Sequence, residues 1–387
     1  MATRSRVTRL LIAAPALLLM AGCGGGATVD DDVAGGGDGD GDGGGASTEL
    51  TSVRAGYVSA IDQIGLPVAV ETGYFEDEGL DVELAQPFPT GVDVLNALQS
   101  GEVDIVQVGT PMISAAQKGD DLVLLGNYTG SASQGNIDET MGVVAKASSG
   151  VSGTDLSTLA GKRIGVSIGS INHLYLLGLL DDAGLDVSDV EIVNTAPPDM
   201  AVALETDGID VGIIWDPWPI QAVKQVEGAE EILRGGGYIP FIGYQITTRE
   251  FAAENPEIIK SYLTARAAVD QWMRENPDDA AESATRWLPG TEVDVATEAM
   301  KYNITQLDPR LSQCNVLALD TVSQLLAEQD AVEPGFDAAA YFDPAPILDV
   351  MEDRPELFED LPPIPDGAEL TGSDVTYDRA AAEQACA

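Results

Sequence analysis

Five small hydroxyl residues stand where a strand-like run passes into a helix-like one: Ser59, Thr90, Thr110, Ser167 and Ser170. A helix start combines unpaired backbone N–H groups, the positive end of the dipole and, here, a hydroxyl donor, which together suit a small anion. Taken singly, each hydroxyl reads as a plain helix cap; several converging in one cleft would be different. A second constellation is Trp215-Asp216-Pro217-Trp218, after the apolar run 209–214. Its indole faces and carboxylate lie at the carboxyl end of a strand, where α/β proteins hold ligands, and they suit an ammonium. Alternatively, Asp216 caps the next helix and the tryptophans pack between lobes. Asp62, just after the first strand, is either another ammonium partner or a solvated loop carboxylate. His173 is the only histidine, so multi-histidine metal sites are excluded. With Asn172 it opens the helix after Ser170, where it could donate to a ligand or brace Trp215.

No motif for catalysis or a cofactor accompanies these residues. G-x-x-x-x-G-K-[ST], G-x-G-x-x-G after a strand, C-x-x-C, H-E-x-x-H and G-x-S-x-G are all missing, so no catalytic residue, metal or cofactor is expected. The 387 residues carry 64 acidic and 19 basic side chains, a formal charge of −45. That field opposes nucleic acid and anionic membrane surfaces. In a cleft, however, close donors outweigh carboxylates screened beyond about 8–10 Å. The acidity also fits a saline habitat. With 44% hydrophobic residues the chain can build sizeable cores, and its length suggests two domains.

Residues 1–22 read as a leader: Arg4, Arg6 and Arg9 precede an apolar run, 10–20, too short to span a bilayer. Leu19-Met20-Ala21-Gly22-Cys23 resembles a bacterial lipoprotein cleavage box, with Cys23 lipidated and left as the new N-terminus. Removing the three arginines takes the charge to −48. Residues 23–49 are mostly Gly and Asp and should form a flexible tether. Asp38 to Glu49 matches a calcium-loop pattern by letter. Gly45 at the position needing an apolar residue, and the lack of flanking helices, argue for chance.

From Leu50 onward, apolar strands alternate with amphipathic helices, which implies mostly parallel sheets covered on both faces. Strands are expected at 53–59, 81–88, 103–109, 121–128 and 141–146, then in a second series beginning at 162. A single helix is expected over 64–79, and residues 250–331 read as mainly helical.

The ordered segments Gly169–Leu185, with Gly-Ser-x-x-His, and Asn194–Trp218, with Pro-Pro and Trp-Asp-Pro-Trp, resemble the substrate-binding proteins of ABC importers for aliphatic sulfonates, taurine and nitrate. Gly73–Leu84, Gly101–Pro111 and Leu159–Val166 extend the likeness. The resemblance implies a two-lobed α/β fold, the type II periplasmic-binding-protein fold. Two hinge crossings are expected near 143–147 and 242–246. Residues 53–142 and 247–387, with a helical C-terminal extension, would then form the first lobe and 148–241 the second. It also implies a monomer that captures a small anion or zwitterion without chemistry. The bound form would be delivered to an ABC permease and its ATPase at the outer membrane face. Tyr244, at the second crossing, joins the expected ligand contacts. A zwitterion such as taurine would set its ammonium against Asp216; nitrate, bicarbonate and a thiamine-precursor pyrimidine between Trp215 and Tyr57 are the rival ligands. An enzyme on the same scaffold, which pyrimidine-precursor synthases for thiamine share by resemblance, is the rival class. With Cys23 assigned to the lipid, Cys314 and Cys386 remain in an oxidising compartment, where a disulfide is expected rather than two free thiols.

Overall fold

The computed structural model describes residues 50–135 and 137–386. The leader, Cys23, the tether and the calcium-like run lie outside them. The strands are β1 Thr51–Gly56, β2 Leu80–Leu84, β3 Ile105–Val108, β4 Leu122–Thr129, β5 Met141–Lys146, β6 Arg163–Val166, β7 Glu191–Asn194, β8 Val211–Trp215, β9 Ala229–Arg234 and β10 Gly243–Thr248. They form two five-stranded sheets, ordered β2-β1-β3-β10-β4 and β7-β6-β8-β5-β9. β3 and β8 are buried along their whole length, as central strands covered on both faces must be, which explains why both are apolar but for the buried Gln107 of β3.

β10 runs antiparallel in the first sheet and β5 antiparallel in the second. Each is the first strand after a crossing between lobes. The crossings are therefore residues 130–140 and 235–242, several residues before the expected 143–147 and 242–246. The first lobe comprises 50–129 and 243–386, and the second 141–234. The error has a physical origin: an apolar run such as Met141–Lys146 announces a strand but carries no signal for which sheet it joins. Asp138 ties the crossings together, its carboxylate accepting N–H bonds from Gly237 (2.8 Å), Tyr238 (2.8 Å) and Ile239 (3.3 Å).

The expected helix over 64–79 is two, Gly65–Glu71 and Tyr74–Asp77, divided at Gly73, whose φ of 83° is the left-handed region that glycine tolerates. Helices then dominate 249–328. The C-terminal helix Arg379–Ala385 packs on the helix Gln313–Glu328, and Cys314 is bonded to Cys386 with Cα atoms 5.5 Å apart. The bond closes a loop spanning 72 positions, which the loop-entropy model values at about 4 kcal/mol. Reduction with dithiothreitol should lower the Tm by several degrees, and Cys386→Ser should reproduce the shift; an unchanged Tm in both would show that the tail contributes nothing to stability.

Candidate functional site

A small cleft opens between the lobes, with a volume of ≈ 390 Å³ when its solvent-open mouth is included. The first lobe supplies the turn after β1, carrying Asp62 and Gln63, the turn after β3, carrying Thr110, and Tyr128 of β4. The second lobe supplies Ser170 and Trp215, and the second crossing supplies Phe241 and Ile242. Among the described residues, no lysine or arginine lines it.

Local sequence explains how the donors reach the cleft. β3 ends at Val108, and a Cβ on Gly109 would lie 2.1 Å from the Ile242 carbonyl oxygen. Glycine there lets the second crossing press against the turn that presents Thr110. Pro111 then opens the helix Pro111–Gln117. Ser170 is the N-cap residue of Ile171–Ala183, yet its side chain makes no cap bond. Thr110 Oγ1, Ser170 Oγ and Trp215 Nε1 are buried and find no hydrogen-bond partner among the described residues. Native proteins pair nearly all such groups. Other unpaired atoms, such as Arg266 Nε and Asn303 Oδ1, lie elsewhere in the fold, and what sets these three apart is that they belong to residues lining one cleft.

Opposite in character is Asp62, 4% exposed and paired with no cation among the described residues. Burial pushes its carboxyl up to about 7; a bond to its own backbone N–H opposes this, and the neighbouring Asp216 adds to the rise. The cleft thus sets neutral donors beside one carboxyl that can ionise near neutral pH.

Asp62, Thr110, Ser170 and Trp215 are brought together here. Asp216 is not available. It is fully buried and holds the Arg234 guanidinium through both oxygens, at 2.7 and 3.0 Å. Burial pushes its carboxyl up while Arg234 pulls it down. Nor is it a helix cap, since Pro217 precedes the helix Trp218–Gln225. The turn instead joins the lobes: the Asp216 carbonyl accepts the Ile61 N–H at 3.1 Å, and Trp218 Nε1 donates to the Ser59 carbonyl at 2.9 Å. Arg234 also lies 4.2 Å from the Tyr302 ring centroid. Trp218→Phe leaves that buried carbonyl unpaired and should lower stability by about 1–3 kcal/mol in chemical denaturation; no change would mean the lobes do not rely on this bond.

Other expected contacts have structural employment. Thr90 caps its helix by accepting the Asp93 N–H. The Ser167 hydroxyl donates to the Thr195 carbonyl (3.2 Å). Asn172 accepts the Ser167 N–H (3.3 Å) and donates to the Ile213 carbonyl (2.9 Å). His173 Nδ1 accepts the Gly169 N–H at 3.3 Å, so it braces the loop rather than Trp215, and burial lowers its pKa. Ser59 adjoins the lining residues Val58 and Ala60 without lining the cleft itself. Tyr244 points into the first-lobe core, its hydroxyl donating to the Asn315 carbonyl (3.0 Å) and its ring edge-on to Phe342. Tyr57 is buried outside the cleft lining, so no sandwich with Trp215 forms. Gln63, Tyr128 and Phe241 escaped sequence reasoning. They sit inside or beside apolar runs, and no local signal separates them from core residues.

The family model described as "NMT1/THI5 like" matches residues 60–280. A Bacillus subtilis protein named for binding aliphatic sulfonates is 28% identical over 282 residues, covering 70% of this chain and 76% of its own. The taurine-binding periplasmic protein of Escherichia coli is 25% identical over 238 residues, covering 59% and 69%. Among solved structures, the alkanesulfonate-binding protein of Xanthomonas axonopodis bound to MOPS superposes with a TM-score of 0.67 at 21% identity. It covers 77% of this chain and 99% of its own. The two-sheet architecture is that of the periplasmic binding proteins, and the chain belongs to the NMT1/THI5-like family.

Proposed function

We propose that this is an extracytoplasmic solute-binding protein that captures a small organosulfonate, taurine foremost, between its lobes and delivers it to an ABC permease. The observation carrying this reading is the pairing of three partnerless donors, Thr110, Ser170 and Trp215 Nε1, with the unpaired carboxyl of Asp62 in one small cleft. A sulfonate offers three oxygens to such donors, and hydrogen bonds to a charged group contribute about 1.5–3 kcal/mol each. Because no cation among the described residues lines the cleft, ionised Asp62 repels a bare anion and attracts an ammonium. A zwitterion therefore binds better than an alkanesulfonate of equal length.

A second reading, an aminopyrimidine, draws on the same Asp62 as acceptor for an amino group and on the Trp215 and Phe241 rings as walls. A thermal-shift panel of taurine, ethanesulfonate, nitrate, bicarbonate and an aminopyrimidine separates the two. A ligand at 100 times its Kd should add about 2.7 kcal/mol. Taurine should give the largest shift; a shift with the pyrimidine alone overturns the sulfonate reading, and turnover of any panel compound overturns the reading as a carrier.

The anchor belongs to the same proposal. Cys23→Ser should release the protein from the membrane fraction with ligand binding intact. Retention of that variant in high salt would contradict lipidation.

A further inference from the structure

We infer that Tyr128 is a specificity-determining contact whose hydroxyl proton is directed into the cleft by Gln63, which acts as its positioning residue. The inference rests on the reading of the cleft as a ligand site.

Three features of the fold place Tyr128 there. Along β10, Gly243 pairs with Thr129 and Tyr244 with Asn127, so Tyr128 is the extra residue of a β-bulge. Bulges re-aim side chains beside functional sites. A Cβ on Gly243 would lie 2.5 Å from Tyr128 Cζ, so glycine on the partner strand makes room for the ring. The side chain is buried, 4% exposed, yet lines the cleft.

Hydrogen-bond direction then follows from the backbone. The Val58 N–H can only donate, and it donates to Gln63 Oε1 at 2.6 Å. The amide is thereby oriented, and its Nε2 must donate to the Tyr128 oxygen, at 3.0 Å. The neighbouring amides continue the same polarity. Gln107 Nε2 donates to the Gln63 carbonyl (2.9 Å), and the Tyr262 hydroxyl donates to Gln245 Oε1 (3.1 Å). A phenol has one proton and accepts through its lone pairs. With its acceptor side occupied by Gln63, Tyr128 keeps its proton free, and no oxygen among the described residues accepts it. Burial, with the charge of Asp62 adding to it, raises the hydroxyl's pKa far above neutrality, so that proton is always present. The cleft thus holds a fourth donor, pre-oriented, whose oxygen already accepts one bond.

Tyr128→Phe should weaken taurine binding about 10- to 100-fold, the loss expected for one hydrogen bond to a charged oxygen, and should lower the ligand-free Tm modestly because the buried Gln63 Nε2 loses its acceptor. Gln63→Glu tests the orientation. The new carboxylate still accepts from Val58 but offers its second oxygen to Tyr128, which turns its proton away from the ligand. Binding should fall although Tyr128 remains, and affinity relative to the original protein at the same pH should recover as acidification lets the new carboxyl donate again. A packing defect would show no such recovery. Taurine binding to Tyr128→Phe within twofold of the original overturns the inference. If the unaltered protein binds the aminopyrimidine instead, the sulfonate reading fails separately, and the same twofold criterion applies to that ligand. If it binds neither, both fall.

Discussion

Asp62→Asn should weaken taurine about 10- to 150-fold, the range for a lost charge-assisted bond, and leave ethanesulfonate binding unchanged or tighter. The same substitution should stabilise the ligand-free protein at pH 8. The sign follows from linkage. Asp62 titrates at about 7 in the fold and near 3.9 unfolded, so the native state holds the extra proton. Stability is greatest below the unfolded value and is lost as pH rises through about 7. That difference is on the order of 4 kcal/mol. A neutral asparagine avoids this loss, so denaturant unfolding of the variant should be flatter between pH 5 and 8. A cleft that carries such a penalty carries it for binding, the usual conflict between stability and function. Equal losses for taurine and ethanesulfonate would remove Asp62 from the amine site.

The second large effect concerns the other carboxylate. Asp216→Asn strips a buried partner from Arg234, whose side chain is 13% exposed. Breaking a buried pair from one side costs about 3–5 kcal/mol. Arg234 keeps Glu231 through two 2.7 Å bonds, which places the loss at the low end. Because this turn joins the lobes, taurine and ethanesulfonate should weaken by the same factor. Titrations of both ligands, with urea unfolding, check this. A loss confined to taurine with stability intact would return the ammonium to Asp216.

These two carboxylates show what the chain discloses about itself. Alternating apolar and amphipathic segments carry the two-sheet architecture, because burial on both faces of a parallel sheet demands them. Helix-start hydroxyls mark candidate donors, but whether a hydroxyl caps its own helix or faces a ligand depends on a single rotamer. Thr90 turns inward to Asp93 while Thr110 and Ser170 do not. Asp216 stands in the more conspicuous motif, yet Arg234, 18 positions on and in another strand, occupies it. Asp62 lacks any motif and acquires its character chiefly from burial, with the neighbouring Asp216 adding to it. Tyr128 depends on a register slip between β4 and β10 that no residue type announces.

The central claim is that a zwitterion binds with its ammonium on Asp62. Calorimetric titration of the mature protein with taurine at pH 7, in two buffers of different ionisation enthalpy, tests it most directly. With Asp62 near its midpoint in the free protein, an arriving ammonium drives the carboxyl to its ionised form, and binding should release up to about half a proton. Heats differing between the buffers by that fraction, with no release for ethanesulfonate, are the expected result. Identical taurine heats in both buffers, or ethanesulfonate binding as tightly as taurine, would contradict it.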